Sequence, residues 1–295
     1  MSTCPSMNSC HAEPGRHLAR ISGVRFRRFV HTFSLVALAV CASTGCKAFA
    51  PSNDRDWAAD QAVLSRAEFM GDEVQLRNVR FCNYHTSDNY DLHHEDRRYR
   101  LADLESVDFI VVPFGDMPNL AHTMLSFGFK GDQYLAVSVE IRKEKGERYS
   151  ALKGLLRQYE LMYVVADERD LIKVRSNLRL EDVYIYRARA TPIQAQALFV
   201  DVMRRVNDLA DKPEFYDAVT NNCTTNIVQH INHLSPGRIQ YSAKVLLPGH
   251  SDRLAFDLGL IETDTDFERT RLRARINELA YAHRDSPDFS SLIRR

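Results

Sequence analysis

The chain has no excess of charge of either sign: 39 Lys and Arg stand against 39 Asp and Glu. Without a basic surface, nucleic-acid binding through phosphate neutralisation has no compositional support, so polynucleotide partners are not expected. Long hydrophobic runs are missing too. After Cys46 no uncharged apolar stretch approaches the ~20 residues needed to span a bilayer. Cysteine is scarce: beyond the first fifty residues the chain has only Cys82 and Cys223. In an oxidising compartment these two could simply pair as a disulfide. There is no internal repeat and no low-complexity tract. About 245 residues of ordinary apolar content remain once the N-terminus is set aside, which suits one good-sized core and a single domain.

The N-terminus is set aside because Arg25-Phe26-Arg27-Arg28 precedes an uncharged run, residues 29–46, whose most apolar part is Leu35-Val36-Ala37-Leu38-Ala39-Val40. A basic patch, a short apolar core and then small residues make an export signal. Two cleavage readings compete. Ser43-Thr44-Gly45-Cys46 resembles a lipobox with lipid added to Cys46, and Ala48-Phe49-Ala50 suits ordinary signal peptidase. A retained anchor is the third. The expected division is a signal segment over 1–46 with an overlong n-region, a helical lead-in over 47–72, a catalytic domain over 73–262, and a charged helix and tail over 263–295. The protein is expected to be exported to the periplasm or cell envelope, tethered at most through its N-terminus.

Residues 56–69 read as a short amphipathic helix, and residues 73–82 as a strand with a bulge. Residues 84–100 crowd Asp88, Asp91, His93, His94 and Asp96 together and read as a long polar loop. That cluster has no recognised ligand spacing, so no metal is expected there, and no cofactor elsewhere. Strands are predicted at 107–112, 120–129, 134–141, 161–166 and 183–190, with a helix over 149–158 between the third and fourth. Thr191-Pro192 caps a helix to about residue 209, and a second helix opens at Cys223. Strands first and helices later give an α+β fold with an antiparallel sheet packed against helices. His230 and His233 on the Cys223 helix read as surface or internally satisfied histidines.

His122 and Cys223 carry the chemistry. A thiol at a helix N-terminus is favoured as thiolate by the helix dipole, and a nearby imidazole can take its proton and return it. In residues 120–129 the odd positions Leu125, Phe127 and Phe129 form the apolar face, while His122, Met124, Ser126 and Gly128 point the other way. Residues 134–141 repeat the parity, with Ser138 and Glu140 on the second face. Lys130-Gly131-Asp132 is a turn, so the two strands form a hairpin. Pairing Phe129 with Gln133 sets Glu140 opposite His122, as the group that orients the imidazole. Cys223, Ile227, Ile231 and Leu234 recur on one inward helix stripe, on the side where the histidine must be. Free N–H groups at the helix start, with Asn222 as an added amide donor, would hold an oxyanion. Arg142 and Lys143 are candidates to contact a substrate headgroup.

These residues resemble a known family. Arg80-Phe81 through Tyr90-Asp91, Ala121-His122-Thr123-Met124-Leu125-Ser126-Phe127-Gly128-Phe129, Ser138-Val139-Glu140-Ile141-Arg142-Lys143-Glu144, residues 159–170 and Asn221-Asn222-Cys223-Thr224-Thr225-Asn226 are similar to the N-terminal periplasmic domain of the Lnb lipoprotein intramolecular transacylases, over roughly residues 80–260. The resemblance implies a fold similar to permuted papain-like proteins of the NlpC and lecithin-retinol-acyltransferase type, in which a strand histidine precedes a helix cysteine and the thiol forms an acyl-enzyme. It also implies acyl transfer from membrane lipid or lipoprotein acyl groups. The membrane-spanning helices of those transacylases have no counterpart after Cys46 here. Two other functions compete with a thiol acyltransferase or hydrolase. One is a cysteine amidase or peptidase acting on peptidoglycan peptides, to which a polar groove would point and an apolar channel would not. The other is a non-catalytic envelope lipoprotein on the same scaffold, favoured by a Cys82–Cys223 bridge or by a wide separation of His122 from Cys223.

Overall fold

The period-two alternation of residues 120–141 becomes the centre of a mixed α+β fold. The computed structural model describes residues 50–115, 117–242, 245 and 247–295, and the export segment with Cys46 lies outside them. Within these residues the strands are β1 (Arg66–Met70), β2 (Glu73–Tyr84), β3 (Tyr90–Arg100), β4 (Leu104–Phe114), β5 (Met117–Phe129), β6 (Gln133–Arg142), β7 (Glu160–Asp167) and β8 (Tyr184–Arg187). They form one eight-stranded sheet in the order β1-β2-β7-β6-β5-β4-β8, with β3 paired to β2. Neighbours run antiparallel, except that β2 meets β7 in parallel at Arg80↔Ala166. The bulge expected in β2 falls between Leu76 and Val79, where Asn78 takes φ 59°.

The helices are α1 (Ala151–Leu155), α2 (Glu168–Lys173), α3 (Pro192–Asp211), α4 (Cys223–Leu234), α5 (Ser251–Asp257), α6 (Phe267–Ala274), α7 (Asn277–Ala282) and α8 (Phe289–Leu292). They divide between the two sheet faces according to strand parity. Leu125, Phe127, Phe129, Leu135 and Val137 pack against Leu198, Phe199 and Val202 of α3 and against Cys223 and Ile227 of α4. Met124, Ala136, Met162 and Val164 pack on the other face against Leu171 and Ile172 of α2, and against Ile276, Ala280, Phe289 and Ile293 of the tail. α3 starts where expected, with Thr191 and Gln194 forming a capping box and Pro192 in the first turn. Its buried Leu198, Phe199, Val202 and Val206 each contribute roughly 1.5–3 kcal/mol relative to exposure.

Three expectations are corrected. Residues 56–69 do not form a helix: only Ala59–Gln61 makes a tight turn, and Arg66–Met70 becomes an edge strand. The lead-in is held by Arg142, whose guanidinium donates to the carbonyls of Gln61 and Ala62 and stacks 4.1 Å over the Trp57 ring. Residues 84–100 are not a long loop, because Tyr90–Arg100 forms β3 and its polar side chains alternate across a hairpin that pairs with β2. The tail is not one charged helix. It breaks between α6 and α7, and Arg294 reaches inward to Asp108 and Glu168. Pro51–Arg295 is accordingly one compact unit.

Candidate active site

The β5–β6 register is the one that matching apolar faces require. It runs from Phe129↔Gln133 to Met124↔Ser138, around a turn in which Gly131 and Asp132 take φ of 78° and 57°. Beyond Met124↔Ser138 the ladder stops. His122 then pairs with Val112 of β4, and Glu140 with Met162 of β7. Between the separated strands, His122 Nε2 lies 2.6 Å from Ser138 Oγ and 3.2 Å from Glu140 Oε1. Ser138 gives its one proton to Glu140 Oε1 at 2.6 Å, so its oxygen accepts from His122 Nε2–H. The other ring nitrogen, Nδ1, is left for the thiol. Arg175, in the wide π-type turn Val174–Leu178 that follows α2, donates to Glu140 Oε1 at 3.0 Å and to the Leu171 carbonyl at 3.0 Å.

Cys223 is the first residue of α4, and Asn222 is its cap. Asn222 Oδ1 accepts from the Thr225 N–H at 2.9 Å, and Thr225 Oγ1 accepts from the Asn222 N–H at 2.8 Å. The cap satisfies one orphan donor of the first turn, which leaves the N–H groups of Cys223 and Thr224 pointing out of the helix start. The sulfur, 6% exposed as a residue, lies 3.9 Å from Thr224 Oγ1, and its acidity responds to the His122 ring and to Thr123 beside it. Thr123 Oγ1 also meets Thr224 Oγ1 at 3.1 Å. The approach differs from the expected one. α4 packs on the Leu125/Phe127 face, whereas His122 has the parity of the opposite face, and the two side chains meet where the β5–β6 ladder ends. Leu234 leaves the inward stripe and is exposed.

The electrostatics follow from these contacts. Burial would raise the Cys223 pKa, but the hydrogen bond and charge of His122 and the Thr123 donors outweigh it and bring the thiol down to about 7. Burial would lower His122; the Glu140 charge, the thiol contact and the Glu140 hydrogen bond instead raise it to about 9. Glu140, despite its burial, is held well below the usual carboxylate range by His122, Arg175 and Ser138. Cys82 is a contrast within the same chain: burial and the Asp170 carboxylate push its thiol up to about 12. Both cysteines are free and buried, so the disulfide reading does not hold.

Not every residue singled out in the sequence reaches the sulfur. Asn222 is buried, and its amide donates to the Ala218 carbonyl at 2.8 Å, so its side chain is a cap rather than an oxyanion donor. Arg142 is 2% exposed and spent on the lead-in. Lys143 is anchored beside it, with its N–H on Gln61 Oε1 and its carbonyl accepting from the Ala58 N–H. The Arg142 guanidinium is therefore not open to a headgroup, while the contacts of Lys143 are made by its backbone and help pin the lead-in beside the end of β6. Sequence reading missed Ser138, Arg175 and Tyr216. Ser138 had been placed on the correct face without a role. Arg175 is 35 residues from Glu140 along the chain, and only the π-type turn brings it in. Tyr216 packs against the core cluster that contains Cys223, and burial and then the Cys223 charge raise the pKa of its phenol.

A cavity of about 470 Å³ runs along the sheet side of α4. Thr224, Ile227, Val228 and Ile231 form one wall, and Leu125, Leu198, Leu254, Leu260 and Ile261 line the others. The volume lies within the ~300–1,000 Å³ of ordinary small-ligand pockets. Neither Cys223 nor His122 lines this space; Thr224, whose Oγ1 is 3.9 Å from the Cys223 sulfur, is the lining residue next to the thiol.

Among the described residues no helix is long and apolar enough to cross a membrane. No curated protein and no solved structure matches the chain. The family model of the Lnb N-terminal periplasmic domain matches residues 90–250, a span that contains His122, Glu140 and Cys223. That match covers more than half of the chain, which therefore belongs to the Lnb N-terminal periplasmic domain family and is an exported protein of the cell envelope.

Proposed function

We propose that the protein is a thiol acyltransferase or hydrolase that acts on acyl esters of membrane lipids or lipoproteins through an acyl-enzyme. The Cys223 thiolate attacks the ester carbonyl, and the tetrahedral oxyanion sits against the N–H groups of Cys223 and Thr224. As the carbon–oxygen bond breaks, His122 delivers its Nδ1 proton to the leaving alkoxide, which departs as an alcohol and leaves a thioester on Cys223. Water or an acceptor nucleophile then attacks the thioester while His122 takes its proton, and the thiolate is released. Glu140 holds the imidazole through Nε2, with Ser138 and Arg175 fixing the carboxylate. The order of strand histidine, strand glutamate and helix cysteine supports a permuted papain-like placement of the fold.

The observation that carries this reading is the apolar cavity beginning one residue from the thiol, which suits a hydrocarbon chain and offers little to a peptide backbone. Lipid attachment at Cys46 would hold such an enzyme at the bilayer surface, where its substrates reside. Incubating the purified protein with ester-linked phospholipid vesicles and measuring its intact mass tests the proposal. The expected product is a single acyl adduct that maps to Cys223, is released by hydroxylamine and is missing in Cys223→Ala. An adduct of equal yield in Cys223→Ala would refute it.

A further inference from the structure

The far end of α4 holds a second cluster, unconnected with the thiol. His230 Nδ1 lies 2.7 Å from Asp201 Oδ2, and His233 Nδ1 lies 3.4 Å from the same oxygen. Asp201 belongs to α3 and the histidines to α4, so the cluster bridges two helices. One ligand-type atom from each residue falls within 4.8 Å of the others. His230 is buried, and His233 opens to solvent.

The hydrogen-bond polarity of this cluster is set from outside it. Asn226 uses both amide protons, on Asn221 Oδ1 and the Asn222 carbonyl, each at 2.9 Å. Its Oδ1 can only accept, and it takes the one phenolic proton of Tyr163 at 2.9 Å. The Tyr163 oxygen must then accept from His230 Nε2, 2.8 Å away, which fixes that ring's proton on Nε2. A neutral His230 therefore turns the lone pair of Nδ1 toward a carboxylate oxygen at 2.7 Å. Two acceptors at that distance repel unless a cation lies between them. His233 brings a further ring nitrogen to the same oxygen from the solvent side.

We infer that Asp201, His230 and His233 form a binding site for a divalent transition-metal ion of the zinc class, to which two imidazoles and a carboxylate are the fitting donors. Tyr163 acts as the outer partner, holding the ligating ring by its other nitrogen, as partners of metal-bound histidines commonly do. Tetrahedral bonds of about 2.0–2.1 Å place ligand atoms roughly 3.3 Å apart. The His233–Asp201 spacing of 3.4 Å meets this already, and the His230–Asp201 contact of 2.7 Å has to widen by roughly half an ångström. Three protein ligands leave a fourth position on the solvent side. A bound ion ties α3 to the helix that carries Cys223 at its other end, whatever reaction the thiol performs.

Calorimetric titration of the chelator-stripped protein with zinc chloride, in a Cys223→Ser background that removes the thiol as a competing ligand, tests the site. Cobalt chloride serves as the spectroscopic probe. The expected result is one equivalent bound with micromolar affinity or better, visible cobalt absorption bands, and a higher melting temperature with zinc. His233→Ala, at an exposed position that leaves the fold intact, and Asp201→Asn should each weaken binding at least tenfold, while the exposed control His93→Ala should leave it unchanged. Binding weaker than millimolar, or affinity that survives His233→Ala and Asp201→Asn, would overturn the inference. So would nitrogen chemical shifts showing a doubly protonated His230 ring with zinc in excess, since a proton and not a metal would then occupy the contact.

Discussion

Glu140 accepts a hydrogen bond from Ser138 and another from Arg175 and faces the charge of His122, and it is this convergence that keeps the imidazole protonated beside the sulfur. Glu140→Gln removes the charge and keeps the shape. The imidazolium then loses its largest favourable partner, and kcat/KM for ester cleavage should fall on the order of 10²-fold, as expected when a proton-transfer group is mis-tuned. Circular dichroism should remain that of the native protein, and an unchanged rate would reduce Glu140 to a structural role. At this scale the sequence was informative about His122, Glu140 and Cys223, because strand parity and a helix start constrain where short side chains point. It was uninformative about Arg175, whose long side chain arrives from a π-type turn with no periodic signature. It misled about Arg142: a cationic residue beside a reactive strand looks like a substrate contact, but this one is buried against Trp57 and backbone carbonyls of the lead-in.

The elements that were legible are those with a two-sided environment. β5 and β6 alternate cleanly because each face meets its own layer of helices, and α3 announces itself by Thr191-Pro192 and an apolar stripe. β3 was illegible because it lies off the main strand order with one face in water, so its composition is that of a loop even though its backbone pairs with β2 on both sides of the bulge. The start of α4 was legible in position but not in detail. Asn222 was read as a donor to substrate and is instead the cap that fixes the first turn. Asn222→Ala should therefore cost about 1–2 kcal/mol in urea unfolding, whereas Asn222→Asp, which keeps the accepting oxygen, should recover most of the loss. An undiminished midpoint in Asn222→Ala would show that α4 is held by packing alone.

Across the whole molecule, the C-terminal tail is part of the core. Arg294 is 9% exposed and pairs with Asp108 and Glu168, which are 1% and 0% exposed. Charged residues crowd the tail sequence, which is why it reads as solvent-facing; burial of Ile276, Phe289 and Ile293 on the second sheet face is what draws Arg294 inward. Arg294→Ala leaves Glu168 buried without a cation, while Asp108 keeps Arg187 at 2.9 Å, and should destabilise the protein by about 3–5 kcal/mol. Adding Glu168→Gln to that variant should restore part of the stability. A loss no larger than that of an ordinary surface substitution would mean that the tail docks through its apolar residues only.

The account as a whole depends on a thiolate–imidazolium pair between Cys223 and His122, and the rate of Cys223 alkylation as a function of pH measures that pair directly. The thiol pKa is lowered, so the thiolate is present above about 7 and lost as pH falls through that value. The imidazole pKa is raised, so the imidazolium persists until pH climbs through about 9. The pair therefore spans about pH 7–9. Iodoacetamide should modify Cys223 with a midpoint near pH 7 in the native chain, moved upward in His122→Ala toward that of an ordinary or buried thiol. Coincident profiles for the two proteins would contradict the account.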